Sequence, residues 1–112
     1  MKDRVKSADK FYNYLGLATR AGQVVSGEYA VEGAVRRGKV VLLIIAVDAS
    51  ENTRRKFSSL ARNHNVKAIV AGEKDVLGQA MGKPSRAIVG LTDRSFANVI
   101  QESLRESVQE NN

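Results

Sequence analysis

The sequence predicts an α/β fold, a three-layer α/β/α sandwich, on three observations. Short apolar runs at residues 40–47, 67–71 and 87–91 alternate with segments of helical period. These runs are continuous rather than alternating, which suits strands buried on both faces. No linker, low-complexity stretch or internal repeat interrupts the alternation. Strands buried on both sides need helices above and below them, joined by right-handed crossovers. One domain accounts for all 112 residues, with a core spanning about 7–108.

The first helix is expected from near Ser7 to Gly22. Phe11, Tyr14, Leu15 and Ala18 share one face at three- and four-residue spacing. Arg20 suits the carbonyl end of that helix. Residues 23–25 read as a short strand. Ser26 then caps a second helix with Glu28 in its first turn. Ala30, Val31, Ala34 and Val35 point inward from it, and Gly38 supplies a left-handed stop. The run 40–47 is the most apolar in the chain. Asp48 or Ser50 caps a third helix over 51–63, whose buried stripe is Phe57, Leu60 and Ala61. Arg54, Arg55 and Lys56 form its wet face. Residues 67–71 form a second buried strand ended by Gly72. A short helix over 73–81 stops at Gly82, and Pro84 keeps residues 83–86 in a loop. After the strand 87–91, Thr92 or Asp93 caps a last helix with Phe96, Val99, Ile100 and Leu104 on one face. Residues 109–112 are expected to fray.

Composition narrows the function. Cysteine is absent, which excludes disulfides, thiolate metal sites and cysteine nucleophiles and fits a cytoplasmic location. No apolar run approaches the ~18–20 residues of a membrane span, so no membrane partner is expected, and the N-terminus has no apolar signal core. The net charge is +6, unevenly spread. Residues 1–86 hold 16 basic and 8 acidic side chains, residues 87–112 only 2 basic and 4 acidic. A basic body with a mildly acidic last helix implies one side facing a polyanion.

Catalytic readings fail one by one. His64 is the only histidine and lies in a turn with no acid beside it in sequence. Catalysis or metal binding needs a paired base or a ligand set. Asp48 and Asp93 follow strands, where open sheets place ligands, but both also precede helices, where a carboxylate caps. The Gly78–Pro84 stretch resembles a phosphate loop, yet its glycines are one residue too close and Pro84 replaces the hydroxyl residue. No enzyme activity, cofactor or metal is expected.

The remaining constellation is basic. Arg36, Arg37 and Lys39 cluster where the second helix hands over to the long strand. Lys74 opens the fourth helix, and Lys83 and Arg86 flank the loop after it. Such groups can hold phosphates and release counterions. Tyr29 lies in the first turn of the second helix, where it either stacks on a base or serves the core.

In Ser26-Gly27-Glu28…Arg37-Gly38-Lys39, followed by the apolar strand into Ala46-Val47-Asp48-Ala49-Ser50, the chain resembles the kink-turn RNA-binding ribosomal protein superfamily of L7Ae/L30e type. Asn52-Thr53-Arg54-Arg55-Lys56, Glu73-Lys74…Leu77-Gly78-Gln79-Ala80 and Met81-Gly82-Lys83 extend the likeness over roughly residues 10–100. Phe11-Tyr12…Leu15-Gly16-Leu17-Ala18…Arg20-Ala21-Gly22 and Thr92-Asp93…Phe96-Ala97 are similar to its bacterial YlxQ-type branch. The resemblance implies a small mixed sheet and non-catalytic binding of structured RNA, ribosomal or other. The ribosome or translation and transcription factors are implied as further partners. In that superfamily a glycine, an asparagine, a glutamate and a lysine on one helix read a kink turn. The glycine falls on Gly27, but the next three positions hold Tyr29, Ala30 and Gly33. The loop before the last strand, apolar in the superfamily, is here Lys83-Pro84-Ser85-Arg86. The phosphate-type contacts implied are Gly27, Glu28 (through its backbone), Arg36, Arg37, Lys39, Lys74, Lys83 and Arg86, with Tyr29 as a candidate stacking contact beside them. Altered specificity or weak affinity for standard kink turns is expected. The competing reading is a protein-interaction module on the same fold that no longer binds kink-turn RNA.

Overall fold

The computed structural model describes residues 2–111, and side chains from residue 9 to residue 106. Its elements are α1 (Lys2–Arg20), β1 (Val24–Ser26), α2 (Glu28–Arg36), β2 (Leu42–Ile45), α3 (Glu51–Asn63), β3 (Lys67–Val70), α4 (Lys74–Ala80), β4 (Ile88–Leu91) and α5 (Arg94–Asn111). The sheet runs β1-β4-β2-β3. β4 is antiparallel to both its neighbours, and β2 is parallel to β3, so the sheet is mixed. Helices α2 and α3 pack on each other and on the sheet, while α1 packs against α5 and α4. No helix among the described residues is long and apolar enough to cross a membrane.

The central strands behave as their composition requires. All four residues of β2 and all four of β4 are buried. Ladder-type hydrogen bonds extend beyond β2, from Val41 N–H to Leu91 and from Val47 N–H to Gly72, so the long apolar run is engaged over nearly its whole length. Phe11, Leu15 and Ala18 of α1 and Phe57, Leu60 and Ala61 of α3 close the core as their spacing predicts. Each fully buried large apolar side chain contributes about 1.5–3 kcal/mol.

Helix ends follow one rule. In α1 to α4 the residue two past the helix is left-handed: Gly22, Gly38, Asn65 and Gly82. Its N–H and the next N–H reach back to the last carbonyls, as Gly38 to Val35 and Lys39 to Ala34 do in α2. This is the Schellman arrangement that the glycine positions predict.

Several expectations are corrected. The strand at 67–70 is an exposed edge, with only Ile69 half-buried, because it pairs with β2 alone. Its leading Lys67 is the kind of residue that discourages pairing by another chain. Ser26 does not cap α2. It belongs to β1, paired with Val89, and Gly27 at φ 92° takes the cap position. Ala30 and Val99 are exposed, because the buried stripes are Val31, Ala34 and Val35 on α2 and Ala97, Ile100 and Ser103 on α5. Helix α1 begins at Lys2 rather than Ser7, with no glycine or proline to stop it earlier. Helix α5 runs through Asn111 where fraying was expected from residue 109, and Asn112 lies outside the described residues.

Candidate nucleic-acid interface

Because α2, α3 and α4 each follow a strand that ends on the same side, their N-termini gather at one end of the sheet. Helix N-termini carry partial positive charge and unpaired N–H groups, which favour anions. Two of the three are occupied. Ser50 accepts from the Thr53 N–H at 3.1 Å and so caps α3. Asp48, the alternative cap for α3, instead accepts from the Lys74 N–H at 2.9 Å and holds the start of α4. Helix α2 differs, for its cap is Gly27 and among the described residues no side chain caps the N–H groups of its first turn. Gly27 is fixed by its own N–H to Ile88 at 2.9 Å.

The loop before β4 closes on this end. Arg86 N–H donates to the Lys74 carbonyl at 2.9 Å, and its Nε donates to Ser26 Oγ at 3.1 Å. Nη1 donates to the Ser85 carbonyl at 3.1 Å. The half-buried guanidinium is therefore anchored beside the uncapped turn of α2. Gly78 makes the loop possible, since a Cβ there would stand 2.1 Å from the Pro84 carbonyl oxygen. That contact, not phosphate binding, explains the glycine that the sequence places in a false phosphate loop. Lys74 and Lys83 are exposed on the same loop and helix. Glu28 carries a carboxylate that accepts from Thr53 Oγ1 at 3.0 Å, tying α2 to α3.

Beneath this end, Tyr12 stacks edge-on against Phe11 with ring centres 4.9 Å apart. Burial pushes the Tyr12 phenol above its ordinary pKa. A backbone hydrogen bond with Glu73 opposes the rise, and the Glu73 and Asp48 carboxylates add to it.

The structure does not bring all nine predicted residues together. Arg36, Arg37 and Lys39 sit at the far end of α2, about 13 Å along its axis from Gly27 at 1.5 Å per residue. Arg36 donates to Glu32 at 2.9 Å, and Lys56 of α3 meets the other oxygen of Glu32 at 3.0 Å. These hydrogen bonds, Arg36's first and Lys56's second, hold the Glu32 carboxyl below its ordinary pKa. Glu32 and Lys56 are the residues that sequence reasoning missed. The Glu32–Arg36 spacing was readable as a helical ion pair, but nothing local announces Lys56. Tyr29 connects the two ends. It is 94% exposed, which removes the core reading. His64 caps α3 by its backbone, and no group of metal-ligating residues exists among the described residues.

Fold and sequence together place the chain in the ribosomal protein L7Ae/L30e/S12e/Gadd45 family, whose model matches residues 9–100. Within it, the chain is 37% identical over 92 residues to the RNA-binding protein YlxQ of Bacillus subtilis (strain 168), covering 82% of this chain and 92% of that one. It is 33% identical over 93 residues to the RNA-binding protein YlxQ of Enterococcus faecium, covering 83% and 89%. A Bacillus halodurans protein of unknown function has the same fold with a TM-score of 0.81 and 33% identity, over 86% of this chain and 97% of that one. The Giardia lamblia 15.5kD RNA binding protein shares the fold alone, with a TM-score of 0.73 at 20% identity over 93% and 89%.

Proposed function

We propose that this chain is a non-catalytic protein that binds structured RNA, ribosomal or other, at the sheet end where α2 and the loop before β4 meet. The observation that carries the reading is the uncapped first turn of α2 with Arg86 anchored beside it through Ser26. Membership of the family and relatives named as RNA-binding proteins support it. Backbone N–H groups and cations of this kind position phosphates, whereas sequence is read by base contacts. With Tyr29, Ala30 and Gly33 at the superfamily's reading positions, the chain has altered specificity or weak affinity for standard kink turns. The ribosome and translation or transcription factors are further partners on this reading, and the cytoplasm is its place of action.

The test is a titration of RNA recovered by crosslinking to this protein in cells. Replacing Lys83 or Arg86 with glutamine should weaken binding and lower the slope of log affinity against log salt by about 1 each. Unchanged affinity and slope would place the interface elsewhere. A protein-interaction reading draws on one feature, a hollow of about 220 Å³ between α1 and α5 lined by Tyr14, Leu17, Phe96 and Val99. It would be favoured by a stable protein complex that persists after nuclease treatment.

A further inference from the structure

The outer face of α2 carries a line of three residues at four-residue spacing, Tyr29, Gly33 and Arg37. Tyr29 gives its ring almost wholly to solvent at 94% exposure, so it does nothing for the core. It stands on the rim of a hollow of about 480 Å³ that Val25, Gly33 and Arg37 also line. The side chain of Arg37 folds back along the helix, and its Nη1 lies 3.1 Å from the place where a Cβ of Gly33 would be. The guanidinium thus occupies space that any other residue at 33 would contest. Its neighbour Arg36 is held by Glu32, but Arg37 has no ion pair or side-chain hydrogen bond among the described residues.

An exposed aromatic ring one helical turn from an unpaired guanidinium has the chemistry of a nucleobase site. Unpaired RNA bases stack on aromatic side chains and offer their edges to hydrogen bonds. An arginine fork supplies only donors. Of the two purines, whose larger ring systems offer more area for stacking, guanine alone presents two adjacent acceptors, O6 and N7, to such a fork. Cytosine offers O2 and N3 only on a smaller ring. The volume is at the small end of ligand pockets, fit for one small planar group. We infer that the outer face of α2 binds a single unpaired guanine of the RNA, stacked on Tyr29 and hydrogen-bonded by Arg37, with Gly33 bare so that the guanidinium can lie there. The inference rests on the RNA-binding reading and adds a base contact on the outer face of the same helix.

The experiment is selection from a pool of hairpin RNAs with a randomised internal loop, using the full chain and its Tyr29→Ala, Tyr29→Phe, Gly33→Leu and Arg37→Lys variants. The natural chain should enrich an unpaired guanine at a fixed place relative to a stem. Tyr29→Phe should keep that preference, since it keeps the ring. Tyr29→Ala, Gly33→Leu and Arg37→Lys should lose it, although Arg37→Lys retains the charge and the salt slope. In the enriched RNA, changing that guanine to adenine should weaken the natural chain roughly 10-fold or more and leave Tyr29→Ala indifferent. Enrichment of loops without a guanine, or an equal guanine-to-adenine penalty in Tyr29→Ala, would overturn the inference and leave the RNA-binding reading standing. An Arg37 that only grips phosphate would give that result. Failure to enrich any RNA would overturn both.

Discussion

The two ends of α2 are built on different physical principles. At its N-terminal end the groups that face outward are backbone N–H groups and a guanidinium locked by Ser26 and Ser85. At its C-terminal end they are long side chains, and one acid, Glu32, already holds two of the cations there. The first end is rigid and its geometry depends on glycines. The second is adjustable and its strength depends on charge bookkeeping. On the proposed reading, a polyanion meeting this helix is positioned by the first end and drawn in by the second.

The comparison breaks most sharply at Gly78. An alanine there meets the Pro84 carbonyl carbon and oxygen at 2.6 and 2.1 Å, and backbone cannot swing aside as a flexible side chain can. Gly78→Ala should cost about 1–3 kcal/mol in denaturant unfolding, the usual penalty of overpacking. It should also displace residues 83–86 and so weaken RNA binding. Native-like stability would show that the loop is loosely held.

Gly27→Ala comes next. Its φ of 92° and ψ of 150° lie in a region open essentially to glycine alone. The strain should cost about 1–3 kcal/mol, and the cap, the first turn of α2 and Arg86 should shift together. A loss of RNA affinity with an unchanged salt slope would mark this end as a positioning device. A fall in the slope by about 1 would mean that Arg86, displaced with the cap, had lost its phosphate as well.

The two ends also differ in how far the sequence reveals them. Gly38 at the close of α2 and the apolar run behind it were legible because Schellman stops and central strands have local signatures. The edge position of β3 was not, since an apolar run records burial tendency and not its neighbours in the sheet. Sheet order places β3 outermost, and order is a non-local outcome. At the site, the basic residues were visible as a list, but their grouping was not. Arg86 and Ser26 are 60 positions apart, and Lys56 reaches Glu32 from another helix. The nine candidates therefore divide between two places that the chain's order does not separate.

A smaller effect sharpens the adjustable end. Glu32→Gln releases Arg36 and Lys56 together, so RNA affinity should rise a few-fold and the salt slope should steepen by about 1–2. The pH dependence follows from the lowered Glu32 pKa. A carboxyl depressed in the folded state stabilises it above its ordinary pKa and loses that contribution only as pH falls through the lowered value. Between pH 7 and 5 the natural chain should therefore keep its clamp, and the ratio of affinities between it and Glu32→Gln should stay constant. A ratio that changes within this window would show that the clamp is not the source of the difference.

The smallest effect belongs to the rigid end and lies at alkaline pH. Tyr12 is half-buried under the start of α4, its hydroxyl oxygen 3.2 Å from where a Cβ of Gly72 would be, and its pKa is raised mainly by that partial burial. A raised phenol pKa means that the folded state holds the proton more tightly than the unfolded chain does. The stability so gained is fully present below the ordinary phenol pKa and is lost as pH rises through the raised one. Ionisation would set a phenolate facing the carboxylates of Glu73 and Asp48, and Asp48 is the group that holds the Lys74 N–H. Comparing unfolding free energies of the natural chain and Tyr12→Phe from pH 8 to 11 isolates this term, because phenylalanine keeps the ring and removes the proton. The natural chain should lose more stability across that interval than the variant. Parallel curves would mean that the phenol titrates alike in both states and that α4 is held at its start by Asp48 alone.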